Sequence, residues 1–155
     1  MSQANIHLLR GDDIYSVDLA VKKITASLGD GFDAAMNASR LDGKSISFED
    51  LQTAFTTLPF FGTCRLVVVD SALAKINKDN QDKFIKLLES TPASTHAVLQ
   101  VEDHHKWRKD AKGAWIQVWE TFSNTNWLVK WFNAHENAEI IDLALPDEKN
   151  MEAWV

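Results

Sequence analysis

Leu66-Val67-Val68-Val69 is a continuous apolar run rich in β-branched residues, and the fold turns on how it is read. A strand with one wet face alternates apolar and polar residues. A strand without alternation is covered on both faces, as in a parallel sheet packed between helices. Four more runs of strand length lie on either side of it: Ile6 to Leu9, a weaker one around Met36 to Leu41, Ala97-Val98-Leu99-Gln100-Val101, and Ile140 to Leu145, interrupted by Asp142. Helical patterns fill the gaps. Ile14, Val17, Val21, Ile24 and Leu28 recur at spacings of three and four and stop at Gly29. Phe48, Leu51, Phe55 and Leu58 form a second stripe, with Ser47 as cap, Asp50 three residues on, and Ile46 opposite Leu51 as a staple. Asn80, Phe84, Leu87 and Leu88 form a third, closed by Thr91-Pro92. The tryptophan-rich stretch that follows reads as helical, with Trp115, Trp119 and Phe122 on one stripe and Trp127, Trp131 and His135 on another. Strands alternating with helices imply right-handed crossovers. The expected fold is α/β, a five-stranded, mostly parallel sheet flanked by helices.

Composition narrows the classes. The chain of 155 residues suits one α/β domain with a core of its own and is short for two. Its 45% apolar and 25% charged residues are ordinary for a globular domain. No run reaches the ~18 apolar residues of a membrane span. The start, Met1 to Asn5, lacks the basic and apolar regions of a signal peptide. The single cysteine, Cys64, cannot form an internal disulfide, which fits a cytoplasmic setting; its expected state is a small buried hydrophobe. A formal net charge of −6 argues against a domain devoted to wrapping DNA. Lys106, Arg108, Lys109 and Lys112 make a local basic patch, read first as the soluble face of a helix. Met151 and Trp154 after Pro146-Asp147 read as the start of a helix that stops at Val155, so the chain is expected to be a fragment.

In a parallel sheet, ligands sit beyond the carboxyl ends of the strands. The first strand leads into Arg10-Gly11-Asp12-Asp13, which opens a helix. A phosphate would bind there through free amides, but a P-loop needs G-x-x-x-x-G-K-[ST]. This turn has one glycine, no lysine in place, and two carboxylates, Asp12 and Asp13, of which either would cap the helix and repel phosphate. ATP hydrolysis is not expected, and no cofactor or metal is implied. Asp70 ends the third strand as a magnesium-binding aspartate would, but aspartate also suits a following turn. His104 and His105 are adjacent and diverge, so they read as surface. The six tryptophans suggest either base stacking or, at helical spacing, core and an interdomain seam.

One stretch remains: Leu58-Pro59-Phe60-Phe61-Gly62, between the second helix and the third strand. Pro59 ends the helix and Gly62 permits a tight turn. Two adjacent aromatics on so short a link do not both fit one core easily, so one is expected at the surface as an anchor for a partner's pocket. That both cover the end of the sheet is equally open.

Three stretches together resemble the N-terminal part of the bacterial DNA polymerase III delta subunit family: His7 to Asp13, Arg40-Leu41-Asp42-Gly43, and Leu58 to Gly62 followed by Arg65-Leu66-Val67-Val68-Val69. The resemblance runs from about Ile6 to Val155. It implies an AAA+-like α/β domain over residues 1–146 with a degenerate P-loop position at Gly11, Asp12 and Asp13, and the start of a helical lid over 147–155. It further implies a non-catalytic clamp-loader subunit that binds the ring-shaped sliding clamp (beta subunit) and helps open it. Phe60 and Phe61, with Leu58 and Pro59 beside them, match the family's hydrophobic anchor. The implied partners also include the delta prime and gamma/tau subunits and, indirectly, primer-template DNA. The segment from His104 to Asn126 departs from the family by its length and its tryptophans. A rival reading is a phospho-receiver domain with Asp12 and Asp13 as the acidic pair and Asp70 as phosphoacceptor, although no lysine follows the fifth strand, where Leu143-Ala144-Leu145-Pro146 stands.

Overall fold

The computed structural model describes residues 4–29, 32–60, 64–74 and 76–143. Along the chain run β1 (Ile6–Arg10), α1 (Ile14–Ser27), α2 (Ala34–Asn37), β2 (Ala38–Asp42), α3 (Phe48–Thr56), β3 (Arg65–Asp70), α4 (Gln81–Ser90), β4 (Thr95–Val101), β5 (His105–Lys109), β6 (Trp115–Trp119), α5 (Trp127–Ala134) and β7 (Ala138–Asp142). Five of the strands form one sheet in the order β2-β3-β4-β1-β7, and every pairing in it is parallel. The expected α/β sheet is therefore present.

The two faces have separate cores. Ile6, Leu8, Val67, Val69, Ala97 and Leu99 point to one side, where Leu51 and Phe55 of α3, Phe84 and Leu88 of α4, and Leu128 and Phe132 of α5 pack on them. Leu9, Leu66, Val68 and Val98 point to the other, under Val17, Ala20 and Ile24 of α1. The continuous apolar run is buried from Leu66 to Val69, as its lack of alternation requires. Each such side chain contributes roughly 1.5–3 kcal/mol on burial. Cys64 is buried as well.

Several expectations shift. Met36 belongs to α2, and β2 begins only at Ala38. Asn80 is the N-cap residue of α4 rather than part of its stripe. Ile14, the first residue of the α1 stripe, is exposed. Helix α3 ends at Thr56, so Leu58 lies beyond it; Thr57 is already extended, as chain approaching a proline tends to be. The largest correction concerns residues 105–119. These form an antiparallel hairpin, β5 with β6, where a helix was expected. Trp115 and Trp119 stand four apart, a spacing that puts two residues on one face of a strand as well as of a helix. Asp110 and Gly113 decide between the two: Asp110 Oδ1 accepts from the Lys112 and Ala114 amides at 2.8 and 2.9 Å, and Gly113 takes a φ of 83°. The basic residues Lys106, Arg108, Lys109 and Lys112 therefore sit on a hairpin, as does His105. Pro146, Asp147, Met151 and Trp154, and with them the expected boundary at 146/147, lie outside the described residues.

Candidate partner-binding surface

The link from α3 to β3 is built from both ends. Ser47 caps α3 by accepting from the Asp50 amide at 3.1 Å. At the other end Arg65 donates through Nε to the Ala54 carbonyl at 3.3 Å and through Nη2 to Ser39 Oγ at 3.1 Å. These bonds tie the start of β3 to the end of α3 and to β2. Between them Leu58 is 67% exposed and Phe60 56% exposed, with Pro59 half-buried. Phe61 lies outside the described residues. Asn37, fully buried at the end of α2, holds the Phe60 backbone through both its amide atoms. Nothing local in the sequence marks Asn37, since its partner is 23 residues away.

The turn at Gly11, Asp12 and Asp13, expected as a degenerate P-loop position, is closed by hydrogen bonds. The Gly11 amide donates to the Val101 carbonyl at 3.1 Å, and the Asp13 amide to Leu143 at 3.0 Å. Asp13 is the cap: its carboxylate accepts from the Ser16 amide at 3.2 Å and from Ser16 Oγ at 2.7 Å. The Gly11, Asp13 and Ser16 amides are thus occupied by protein oxygens, and the Asp13 carboxylate caps the helix start. Asp12 is half-buried beside it. Gly11 has a φ of 151°, which L side chains rarely adopt.

Arg10, just before this turn, is buried and joins three elements. It bonds Asp142 Oδ1 through Nε at 2.8 Å, donates to the Phe122 carbonyl, and lies 4.6 Å from the Trp119 ring centroid. This hub between β1, β7 and the hairpin is a second residue whose role sequence reasoning missed.

The strand order does not suit the phospho-receiver reading. In receivers the first strand is next to the third, so their acidic groups converge. Here β4 separates β1 from β3, two interstrand steps or about 10 Å. Arg40 also grips Asp70 with a fork, Nε to Oδ2 at 2.7 Å and Nη2 to Oδ1 at 3.0 Å, and reaches Asp18 at 3.3 Å. The bonds to Asp70 hold the Arg40 guanidinium still more firmly protonated than usual. His104 and His105 diverge as expected, but on strand geometry: His104 lies 3.7 Å from Glu120, while the His105 ring packs 4.1 Å from the Trp119 ring. Among the described residues no three His, Cys, Asp or Glu side chains converge on one point, and no helix is long and apolar enough to cross a membrane.

Comparison with solved structures finds the Bacillus subtilis DNA clamp loader delta protein (YqeN), with a TM-score of 0.68 at 17% sequence identity over 98% of this chain. At that identity the likeness speaks for a shared fold. The chain covers 42% of that protein's length. Among curated proteins none matches the chain significantly. The family profile for DNA polymerase III, delta subunit, matches residues 7–129. That span takes in β1, the closed turn, the Phe60 link and the tryptophan hairpin, and the chain belongs to the DNA polymerase III delta subunit family.

Proposed function

We propose that this chain is the clamp-gripping domain of a clamp-loader delta subunit, with Leu58, Pro59, Phe60 and Phe61 as the anchor that enters a pocket on the sliding clamp. The observation that carries the reading is the fixed and exposed state of Phe60. Phe60 as a residue is more than half exposed, while Asn37 bonds both its N–H and its C=O. An aromatic held on a rigid backbone loses little freedom on docking, which suits a hot-spot anchor.

The work is binding. Contacts that favour the open ring over the closed one shift the clamp's equilibrium by their difference in free energy and by nothing more. The turn at Gly11, Asp12 and Asp13 leaves ATP hydrolysis to neighbouring subunits of the gamma/tau type, with delta prime completing the loader. Primer-template DNA enters through the assembly, and the setting is the cytoplasm. Residues 1–146 would form the AAA+-like domain, with a lid beginning at 147.

Binding of the chain to the sliding clamp of the same organism tests this, wild type beside Phe60→Ala/Phe61→Ala. Loss of a central anchor worth about 2 kcal/mol or more weakens affinity at least about thirtyfold. Clean binding untouched by the double substitution would keep the partner and sink the site. A folded full-length subunit that shows no binding at all would sink both.

A further inference from the structure

We infer that the β5–β6 hairpin is a binding platform for single-stranded nucleic acid, on which bases stack on Trp107 and Trp115 and phosphates meet the surrounding cations. The register pairs Trp107 with Gln117 and Lys109 with Trp115. Directly opposed residues share a face, so Trp107 and Trp115 are diagonal neighbours on one side of the ribbon, about 7–8 Å apart. They are 57% and 62% exposed. Two large indoles left in water on one face of a two-stranded ribbon are a recognition feature rather than core.

Charge identifies the partner. Between His105 and Trp119 stand the cations Lys106, Arg108, Lys109 and Lys112 against the single anion Asp110, in a chain whose formal net charge is −6. The hairpin thus reverses the sign of the molecule locally. Lys109 Nζ lies over the Trp115 ring at 5.4 Å from its centroid, so an exposed ammonium and an indole share one face. On the tryptophan face the cation is Lys109, with Lys112 at the tip, while Lys106 and Arg108 line the opposite face of the narrow ribbon. Aromatic faces flanked by cations match a ligand that alternates bases with phosphates. Lys106 has Glu120 within 3.9 Å; an apolar protein surface would gain from the indoles but would offer nothing to Lys109 beside them.

The platform is rigid. Asp110 and Gly113 fix its tip. At its base the buried Asp103 carboxylate accepts from the amides of His104, Thr121 and Phe122. Trp119 is buried between the Arg10 guanidinium and the His105 ring, which seats the ribbon on the sheet. Trp107 and Trp115 are then presented without a large ordering cost.

The test is fluorescence anisotropy of labelled oligo(dT), longer than the ~16 nucleotides at the upper end of single-domain site sizes, titrated with the whole chain at low salt. No clamp is present, so the result is independent of the clamp reading. The expected result is binding that Trp107→Ala and Trp115→Ala each weaken about tenfold, partly restored by Trp→Phe at the same positions. Lys109→Gln should flatten the dependence of log K on log salt by about 0.7. Oligo(rU) in parallel tells whether DNA or RNA is preferred; tight binding to either supports the proposal. No binding by the folded wild type overturns it. So does binding that both tryptophan substitutions leave unchanged, or an equal, tryptophan-insensitive affinity for duplex.

Discussion

The side-chain amide of Asn37 closes a two-way bond on the backbone of Phe60: Oδ1 accepts from the Phe60 N–H at 2.7 Å, and Nδ2 donates to the Phe60 carbonyl at 2.8 Å. Asn37 is fully buried, so neither bond competes with water on its side. The pairing copies what a strand neighbour would offer and gives an irregular link one fixed backbone position.

Asn37→Ala removes both bonds without touching the exposed surface. About 1–3 kcal/mol of stability should be lost, read from the urea midpoint. Clamp affinity should fall too, although Leu58, Phe60 and Phe61 are all still present. Unchanged affinity at reduced stability would mean that the backbone of the link needs no fixing for docking.

The contrast between Asn37 and Leu66 to Val69 marks what was legible in the sequence. The buried strands declare themselves through composition and lack of alternation, both local properties, and the parallel sheet follows. Ser47 announces its helix start for the same reason, and the pair Asp12-Asp13 announces another without saying which of the two caps it, since a cap and its helix are neighbours in sequence. Asn37 and Arg10 act on partners 23 and up to 132 residues away, and nothing in their surroundings shows that. The hairpin failed differently. Its tryptophans satisfy two periods, and the turn signal in Asp110 to Gly113 is short.

Gly43 ends the Arg40-Leu41-Asp42-Gly43 stretch, and its amide donates to the Asp70 carbonyl at 2.7 Å. A Cβ placed there would stand 2.2 Å from the Ser71 carbonyl oxygen and 2.8 Å from that of Asp70. Both are backbone atoms at the end of a buried strand and have little room to yield. Gly43→Ala should cost at least the ~1–3 kcal/mol typical of overpacking, read from the thermal midpoint. A shift within error would show that the β2 and β3 ends separate easily.

His7 and His96 stack with centroids 5.8 Å apart on the wall of a cavity of about 630 Å³ under α1, which Glu139 and Lys23 also line. His7 Nδ1 meets Glu139 Oε1 at 2.6 Å. His7 Nε2 and His96 Nδ1 are buried without a hydrogen-bond partner among the described residues. Burial, and secondarily the charge of His7, push the His96 imidazole below its ordinary value. The unfolded chain therefore binds this proton more readily than the folded one, so stability rises with pH. The contribution is complete above the unfolded value of about 6.5 and is lost as the pH falls toward the lower folded value. Urea midpoints at pH 8 and pH 5.5 should show the wild type weaker in acid, and His96→Asn should reduce that difference. An equal difference in both proteins would place the acid sensitivity elsewhere.

Asp103 follows β4 and looks in sequence like one of several acidic residues after a strand end. In the fold it is buried, and its carboxylate accepts from the His104 amide at 2.9 Å, the Thr121 amide at 3.1 Å and the Phe122 amide at 2.7 Å. It thereby closes the base of the hairpin and turns the chain toward α5. Asp103→Ala leaves these three donors without that acceptor at a site where water enters poorly. A loss of about 2–4 kcal/mol is expected, since a buried unsatisfied donor costs roughly 1–3 kcal/mol and the exposed Thr121 side recovers part of it from solvent. Asp103→Asn keeps one accepting oxygen and should fall in between. Amide hydrogen exchange distinguishes a local from a global effect. Faster exchange confined to residues 104–122, with the β1 and β4 amides still protected, is the outcome expected if the carboxylate serves the hairpin. Acceleration spread evenly over the sheet would make Asp103 a support of the whole domain instead.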